Sequence, residues 1–210
     1  MVNSEETPLH PTAQKLVDTV IEMLQTTSYN NIKSENVLLR SGITRGPLYH
    51  HFADFDDLIQ TAQIQLYKSF VLEVISQLLK VIEATDDLEG ARTELHAFVK
   101  ARTVKISDVV LRQRVGIIHN AASQPKLREK LNQTQESMTQ QWMKAYQICL
   151  EKGWADPTID SRCVAILMQS AFIGRVLDGM SNVQMNPREW VKVLNTLFDR
   201  FFFIGATPTQ

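Results

Sequence analysis

Apolar residues recur at helical spacing through almost the whole of this sequence, and that pattern restricts the chain to an all-helical fold. Strand signals are nearly absent, because there is no sustained two-residue alternation and no β-branched run bounded by turn residues. The sequence therefore predicts an all-α protein. The periodicity and its Pro, Gly and Asp punctuation predict about nine helices, over 12–26, 34–40, 44–51, 54–83, 89–106, 107–122, 125–152, 160–180 and 187–203.

Composition excludes several classes of protein. The 210 residues are 44% hydrophobic and 21% charged with few Pro and Gly, which is typical of a globular protein. The net charge of −1 gives no sign of a nucleic-acid binder or a membrane-surface protein. No apolar run reaches the roughly 18 residues of a membrane span. Cys149 and Cys163 form neither a disulfide framework nor a metal site, so we expect a cytoplasmic protein without a metal or cofactor.

The segment 34–58 is the most informative part of the chain. A short helix that begins at Ser34 ends at Gly42, and a second short helix follows Thr44. Ser34 and Thr44 are residue types that cap helix N-termini, and Gly42 stands where a left-handed residue is wanted. Two short helices joined in this way are typical of a helix-turn-helix, whose second helix can enter the major groove of DNA.

The second short helix has two faces of different chemistry. Leu48 and Phe52 occupy the inner face, whereas the outer face offers Thr44, Arg45, Gly46, Tyr49 and His50. Arg45 can bind a guanine edge with two hydrogen bonds, and Gly46 lets the backbone approach DNA. The hydroxyls and the imidazole can bind phosphate oxygens. The alternative is a solvated face on an unrelated helical protein.

The run Gly42-Ile-Thr-Arg-Gly-Pro-Leu-Tyr-His-His-Phe52, followed by a long helix, resembles the DNA-binding domain of the tetracycline-repressor (TetR) family of regulators. This resemblance covers residues 12–60, and the remainder matches in general form. It implies a helix-turn-helix domain over 1–55 and a helical ligand-sensing and dimerisation domain over 56–210. It also implies contacts of Ser34 with phosphate, of Thr44, Arg45 and Gly46 with bases or backbone, and of Tyr49, His50 and His51 with phosphates.

The resemblance further implies a mechanism. A homodimer would place two recognition helices about one DNA turn, or a multiple, apart and bind a near-palindromic double-stranded operator, most simply as a repressor. A small-molecule effector would bind the second domain best when the separation of the recognition helices does not match successive major grooves. Its binding would therefore release the dimer from DNA. The long fourth helix would be the link between effector site and reading head.

Two features depart from the TetR pattern. Phe55 stands where family members usually place a phosphate-binding Lys, and residues 1–60 carry a net charge of −4, although 33–52 carry +2. A ligand- or partner-binding protein of the same fold with weak or lost DNA binding therefore stays open. An all-helical enzyme is a further alternative, although no catalytic motif is present and no catalytic residue is expected. Adjacent His50 and His51 point about 100° apart on a helix, which disfavours a metal site.

The second domain contains candidate ligand contacts. Two predicted helices carry aromatic, Met and Arg side chains at helical spacing: Trp142, Met143 and Tyr146 on one, and Met168, Phe172 and Arg175 on the other. Such a stripe can line a pocket between helices or form plain core. Arg175 lies among apolar residues and needs an anionic partner, either Asp178, Glu136 or a ligand carboxylate.

The last two helices are predicted to form a dimer interface. A wide apolar face and a pair of small residues four apart contribute to it: Ser170, Gly174, Trp190, Leu194, Leu197, Phe198 and Phe201. The small pair would let two helix backbones cross closely. The alternative is that this face is buried inside the monomer.

We expect a shallow dependence of DNA affinity on salt concentration. Residues 33–52 contain three cationic side chains and one acidic side chain, so few phosphates can be neutralised. Each neutralised phosphate contributes about 0.9 to the slope of log K against log salt. Binding titrations at several NaCl concentrations measure this slope, and a value that corresponds to about eight or more phosphates per monomer would contradict the expectation.

Overall fold

The computed structural model describes residues 8–103, 108–178 and 182–204, without the side chains of residues 70, 102, 108–112, 172 and 175. Within these ranges the backbone forms helices and no strand, which confirms the all-α prediction. The predicted helix ends at 106 and 180 and the predicted start at 107 lie outside the described residues, and the other ends lie within two residues of the predicted ones. None of the described helices combines the length and apolarity needed to cross a membrane. The helices are α1 Pro11–Leu24, α2 Ser34–Ser41, α3 Arg45–His51, α4 Phe55–Ala84, α5 Leu88–Thr103, α6 Asp108–Ala121, α7 Pro125–Glu151, α8 Ser161–Asp178 and α9 Pro187–Phe202.

The chain divides into two compact units. The first comprises residues 1–66 and the second residues 67–210, so the division falls inside α4. This is a division by packing density. The functional boundary after residue 55 that the sequence suggests stays a prediction.

One hydrophobic core holds the first unit together. Leu16, Val17 and Val20 of α1 are fully buried in it with Val37 of α2 and Leu48 of α3. Val20 follows Leu16 by four positions and Val17 by three, so these α1 residues lie on one face of the helix. Because α2 has eight residues and α3 seven, neither helix would be stable alone in water. Packing against α1 therefore holds both short helices.

The turn between α2 and α3 depends on Gly42. Its φ of 68° lies in the left-handed region, and its N–H donates to the Leu38 carbonyl at 3.0 Å, as the sequence predicts for a helix end. The predicted capping residues are correct only in part. Lys33 is the N-cap of α2, so Ser34 is not a cap but the first helical residue. Thr44 is the N-cap of α3, although its hydroxyl makes no capping hydrogen bond.

Two aspartates begin α4. The Asp54 carboxylate accepts the backbone N–H of Asp57 at 2.7 Å, and the Asp57 carboxylate accepts the N–H of Ala53 at 3.1 Å. This arrangement is related to a capping box, with Asp in place of Glu and with the N–H of Ala53, one residue before Asp54, as the second donor. Negative charge is also favourable at a helix N-terminus. The acidic residues here therefore stabilise the start of α4.

Aromatic rings from α7 and α9 form the centre of the second unit. The Trp142 ring lies 6.2 Å from Phe198 and 6.1 Å from Phe202, and Tyr146 meets Phe202 edge-on at 5.5 Å. All four side chains are fully buried. The Tyr146 hydroxyl donates to the Asp156 carbonyl at 2.8 Å, so this polar atom is satisfied inside the core.

A buried ion pair joins α5 to α9. Arg92 is 4% exposed, and its guanidinium donates to both carboxylate oxygens of Asp199 at 3.0 and 3.1 Å. It also donates to Glu89 at 3.1 Å, and His96 Nε2 lies 2.8 Å from Asp199 Oδ1. Hydrogen bonding to Asp199 raises the pKa of Arg92. The buried cation is thus compensated by two carboxylates.

We expect Asp199→Ala to lower the free energy of unfolding by about 3–5 kcal/mol, because it leaves the Arg92 charge buried without its main partner. Glu189→Ala is the matched control, since Glu189 pairs with Lys192 on the exposed surface of α9 and such pairs contribute about 0–1 kcal/mol. Urea unfolding followed by circular dichroism gives both values. Equal losses in the two variants would contradict the prediction.

Candidate nucleic-acid interface

α3 presents one buried and one exposed face. Leu48 and the C-cap residue Phe52 are buried in the core of the first unit. The residues that the sequence places on the outer face are all exposed: Thr44, Arg45, Gly46, Tyr49 and His50. Burial of the inner pair therefore sets which side of α3 another molecule can reach. A single helix of this kind fits a major groove about 12 Å wide.

Gly46 makes no contact that requires glycine within the described part of the chain. A Cβ atom at this position would meet no atom within 4 Å, and its φ is not in the left-handed region. Glycine is unfavourable in a helix relative to alanine. The fold therefore gains nothing from glycine at position 46, whereas a molecule that closely approaches the α3 backbone would require it.

Arg45 is held on the surface by an acidic neighbour. Its Nη2 lies 3.4 Å from Glu35 Oε1 of α2, and the two side chains are 68% and 65% exposed. The pKa of Glu35 is lowered, first by a backbone hydrogen bond and by Ser34, and to a smaller extent by Arg45. Exposed pairs of this length contribute little energy. Arg45 therefore stays on the exposed face of α3 and can exchange Glu35 for another acceptor.

Two predicted phosphate contacts are less accessible than the others. Ser34 and His51 are half-buried. The His51 ring stacks on His10 with centroids 4.9 Å apart and meets His50 edge-on at 5.0 Å. Burial, and then the neighbouring His10 and His50, lowers the pKa of His51. At neutral pH His51 is therefore a neutral hydrogen-bonding group and not a cation.

The predicted ligand contacts on α7 and α8 lie in the core of the second unit. Trp142, Tyr146 and Met168 are fully buried, and Met143 is half-buried. The indole Nε1 of Trp142 is buried without a hydrogen-bond partner in the described part of the chain. A buried indole N–H normally has a partner. This N–H is therefore a donor that a bound molecule could use.

Phe172 and Arg175 complete the predicted ligand set, and their side chains lie outside the described residues. The carboxylates considered as partners of Arg175 have other hydrogen bonds. Glu136 accepts two from Arg162 at 3.0 and 2.7 Å, which lowers the pKa of Glu136 to about 2. Asp178 accepts a backbone N–H at 2.9 Å.

Part of the predicted dimer interface is wrong. Leu194 and Phe198 are fully buried inside the second unit, so they offer no surface to a second copy. The physical reason is that α5 and α7 of the same chain cover this face of α9. The alternative that the sequence left open, burial within the monomer, applies to these two residues.

The remaining predicted dimer residues differ in accessibility. Ser170 is exposed, whereas four are half-buried: Gly174, Trp190, Leu197 and Phe201. A Cβ atom at Gly174 would lie 3.4 Å from the Trp190 ring, so these two positions pack against each other within the chain. The exposed apolar side chains of α8 and α9, which the sequence analysis missed, are Ile166, Leu167, Leu177 and Val193.

No group of three or more His, Cys, Asp and Glu side chains in the described ranges could hold a metal ion. Cys149 is buried, and burial raises its pKa to about 12. Cys163 is exposed, and its neighbour Asp160 raises its pKa as well. Neither thiol is activated toward metal binding or nucleophilic attack.

Several solved structures share this architecture. A protein assigned to the TetR family of transcriptional regulators, from Mesorhizobium loti, superposes with a TM-score of 0.70 at 14% identity, covering 92% of this chain and 96% of its own. A second such protein, from a Rhodococcus species, gives 0.68 at 14% identity, covering 91% and 98%. GusR from Salmonella enterica gives 0.64 at 17% identity, covering 93% and 97%. Neither a protein-family model nor a curated protein sequence matches the chain.

The chain has the fold of the TetR-family regulators. The similarity spans nine-tenths of the chain, whereas the sequence resemblance is specific for residues 12–60. The TetR-like architecture thus extends well beyond the helix-turn-helix, as the resemblance implies.

One departure from the TetR sequence pattern has a structural explanation. Phe55, at the position where the family usually has Lys, is half-buried and packs against the core of the first unit. Asp54 and Asp57 on either side cap α4. Position 55 therefore contributes to packing of the first unit.

Gly46→Ala separates folding from DNA contact. We expect the variant to be as stable as the parent or up to about 1 kcal/mol more stable, because the methyl group has open space and alanine favours a helix. We also expect weaker DNA binding, because the methyl group would meet the DNA backbone. Thermal unfolding and a binding titration measure the two effects.

The matched control is Gly116→Ala in α6, where a Cβ atom also meets nothing within 4 Å. It should change stability by a similar amount and leave DNA binding unaltered. Unchanged DNA binding in Gly46→Ala would show that the α3 backbone does not closely approach DNA.

Proposed function

We propose that this chain is a homodimeric transcriptional repressor that binds a near-palindromic operator through α3 and is released by a small-molecule effector. The exposed face of α3 carries the proposal. This face contains Arg45, Gly46 and Tyr49. It points to solvent because Leu48 and Phe52 on the opposite side are buried. The TetR-like fold supports the proposal, since structures that share it include assigned transcriptional regulators.

The proposed DNA contacts follow from the chemistry of this face. Arg45 exchanges its exposed pair with Glu35 for the O6 and N7 atoms of a guanine, which its planar guanidinium matches. Tyr49 and His50 donate to phosphate oxygens, as do Ser34, Thr44 and neutral His51. Exposed Lys33 supplies a charge close to the start of α2. Few of these contacts are ionic, so hydrogen-bond geometry contributes more to the affinity for DNA than charge does.

The proposed dimer uses α8 and α9. Ile166 and Leu177 on α8 and Val193 on α9 are large apolar side chains exposed on the second unit. Burial of such side chains between two copies would stabilise a two-fold dimer. The two α3 helices would then bind half-sites about one helical turn, or a multiple, apart, which is why the operator should be near-palindromic.

The proposed effector binds in the second unit. Trp142 Nε1 is a buried donor without a partner in the described part of the chain. The other candidate contacts lie on α7 and α8: Met143, Tyr146, Met168 and, by sequence position, Phe172 and Arg175. The dimer can adopt an arrangement in which the spacing of the two α3 helices fits the operator and one in which it does not. An effector that binds the second arrangement more tightly lowers the affinity for the operator, and the ratio of its affinities for the two arrangements sets how far.

A ligand- or partner-binding protein without DNA binding is the second candidate. The net charge of −4 over residues 1–60 favours it. Two of the eight acidic residues, Asp54 and Asp57, have a structural role because they cap α4. The negative charge alone is therefore no argument for loss of DNA binding. An enzyme receives no support from the neighbouring folds, two of which are assigned as regulators.

Selection of genomic fragments by the purified protein, beside two variants, tests the proposal. Arg45→Ala should reduce operator affinity by about 1–3 kcal/mol and relax one position of each half-site, because it removes a base contact. Lys33→Ala is the matched control in the same domain. It should weaken binding to all sequences about equally and leave the enriched motif sharp, because phosphate contacts carry no sequence information.

A palindrome that is enriched by the parent and blurred by Arg45→Ala supports the regulator. No enrichment by the parent favours the protein without DNA binding. Identical motifs for the parent and Arg45→Ala would show that Arg45 does not read a base.

A further inference from the structure

Two arginines of the second unit are equally buried but differently compensated. Arg92 and Arg114 are each 4% exposed. Arg92 binds the carboxylates of Asp199 and Glu89. Among the described residues, no carboxylate pairs with Arg114, and its Nε donates no hydrogen bond. A buried cation without an anion costs free energy that the fold has to supply.

Arg114 has one aromatic partner. Its Cζ lies 4.8 Å from the centroid of the Tyr67 ring, on the ring face. Burial lowers the pKa of Arg114, and Tyr67 opposes this shift. The attraction between a cation and an aromatic face is much smaller than the free energy lost when an ion is desolvated. The ring therefore orients the guanidinium without neutralising it.

Tyr67 is itself held by a chain of hydrogen bonds. Its hydroxyl donates to Gln135 Oε1 at 2.8 Å, and Gln135 Nε2 donates to Gln169 Oε1 at 2.9 Å. Gln169 Nε2 donates onward to Thr139 Oγ1 at 3.2 Å and to the Ala165 carbonyl at 3.1 Å. Tyr67, Thr139 and Gln169 are buried. Hydrogen bonds between side chains of α4, α7 and α8 thus hold the Tyr67 ring in place, so the surface on which Arg114 stacks is preorganised.

We infer that Arg114, stacked on Tyr67, is the binding site for the carboxylate of an organic acid, and that this acid is the effector. The identification of the acid as effector rests on the proposed function, whereas the binding site does not. A guanidinium presents two parallel N–H donors that match the two oxygens of a carboxylate. The acid supplies an anion where no described carboxylate pairs with Arg114. Most of the buried side chains of the second unit are apolar, which favours an acid whose remaining part is apolar.

Pairs of acids and neutral analogues test this assignment on the full chain without DNA. The probes are decanoate and benzoate, each against the corresponding amide, with inorganic phosphate as an anion that lacks a carboxylate. We expect at least one of the two acids to raise the Tm and to bind in calorimetry, and neither amide to do so. Arg114→Met should weaken binding of that acid by about ten- to one-hundred-fold, since it removes charge-assisted hydrogen bonds while keeping the volume.

Arg162→Met is the matched control, because Arg162 lies in the same unit and pairs with Glu136 on the surface. It should leave acid binding unchanged. No binding of either acid, equal binding of acid and amide, or full binding by Arg114→Met would overturn the assignment. Binding of phosphate as tight as that of the acids would overturn its carboxylate selectivity. The comparison of acid with amide uses the parent protein, so it can overturn the assignment even if Arg114→Met does not fold.

The two proposals fail in different experiments. An enriched palindrome without binding of either acid would refute this assignment and leave the regulator standing. Acid binding that depends on Arg114, in a protein that enriches no DNA, would refute the regulator and leave the site standing. If both hold, the bound acid should lower operator affinity for the parent and not for Arg114→Met, and an unchanged affinity in the parent would refute its role as effector.

Discussion

The burial of Leu48 and Phe52 is the constraint on which the first unit depends. α3 has seven residues, too few to be stable alone, so its position and rotation come from these two side chains in the core that α1 provides. The same burial turns Arg45, Gly46 and Tyr49 toward solvent. Gly42 before α3 and the Asp54–Asp57 cap after it allow the chain to enter and leave so short a helix.

The two buried arginines of the second unit differ in how their charge is compensated. Arg92 reaches two carboxylates and joins α5 to α9, so its charge contributes to the fold. Arg114 is buried to the same extent beside the face of Tyr67. If the proposed acid binds at Arg114, it would stabilise the second unit, because a ligand that binds only the folded state raises its stability.

Local rules predicted most local features, with the N-cap at Ser34 as an exception, and long-range contacts explain the error at the apolar face of α9. Helical periodicity and the need for a left-handed residue at Gly42 involve neighbours within a few residues, so they can be read from the sequence. The ion pair between Arg45 and Glu35 joins residues ten apart, and no pattern announces it. The sequence directed attention to Arg175 as a cation in need of an anion, whereas Arg114 meets that description in the described structure, because burial depends on how α6 packs.

The sequence by itself determined the all-helical fold, the positions of the helices and the two faces of α3, because each follows from the spacing of side chains along a helix. Only the tertiary structure decided what covers each apolar face. α9 has a wide apolar stripe that could face a second copy or its own core, and packing of α5 and α7 assigned Leu194 and Phe198 to the core. The physical reason is that amphipathicity specifies that a face is buried but not by which partner, since hydrophobic burial has no direction.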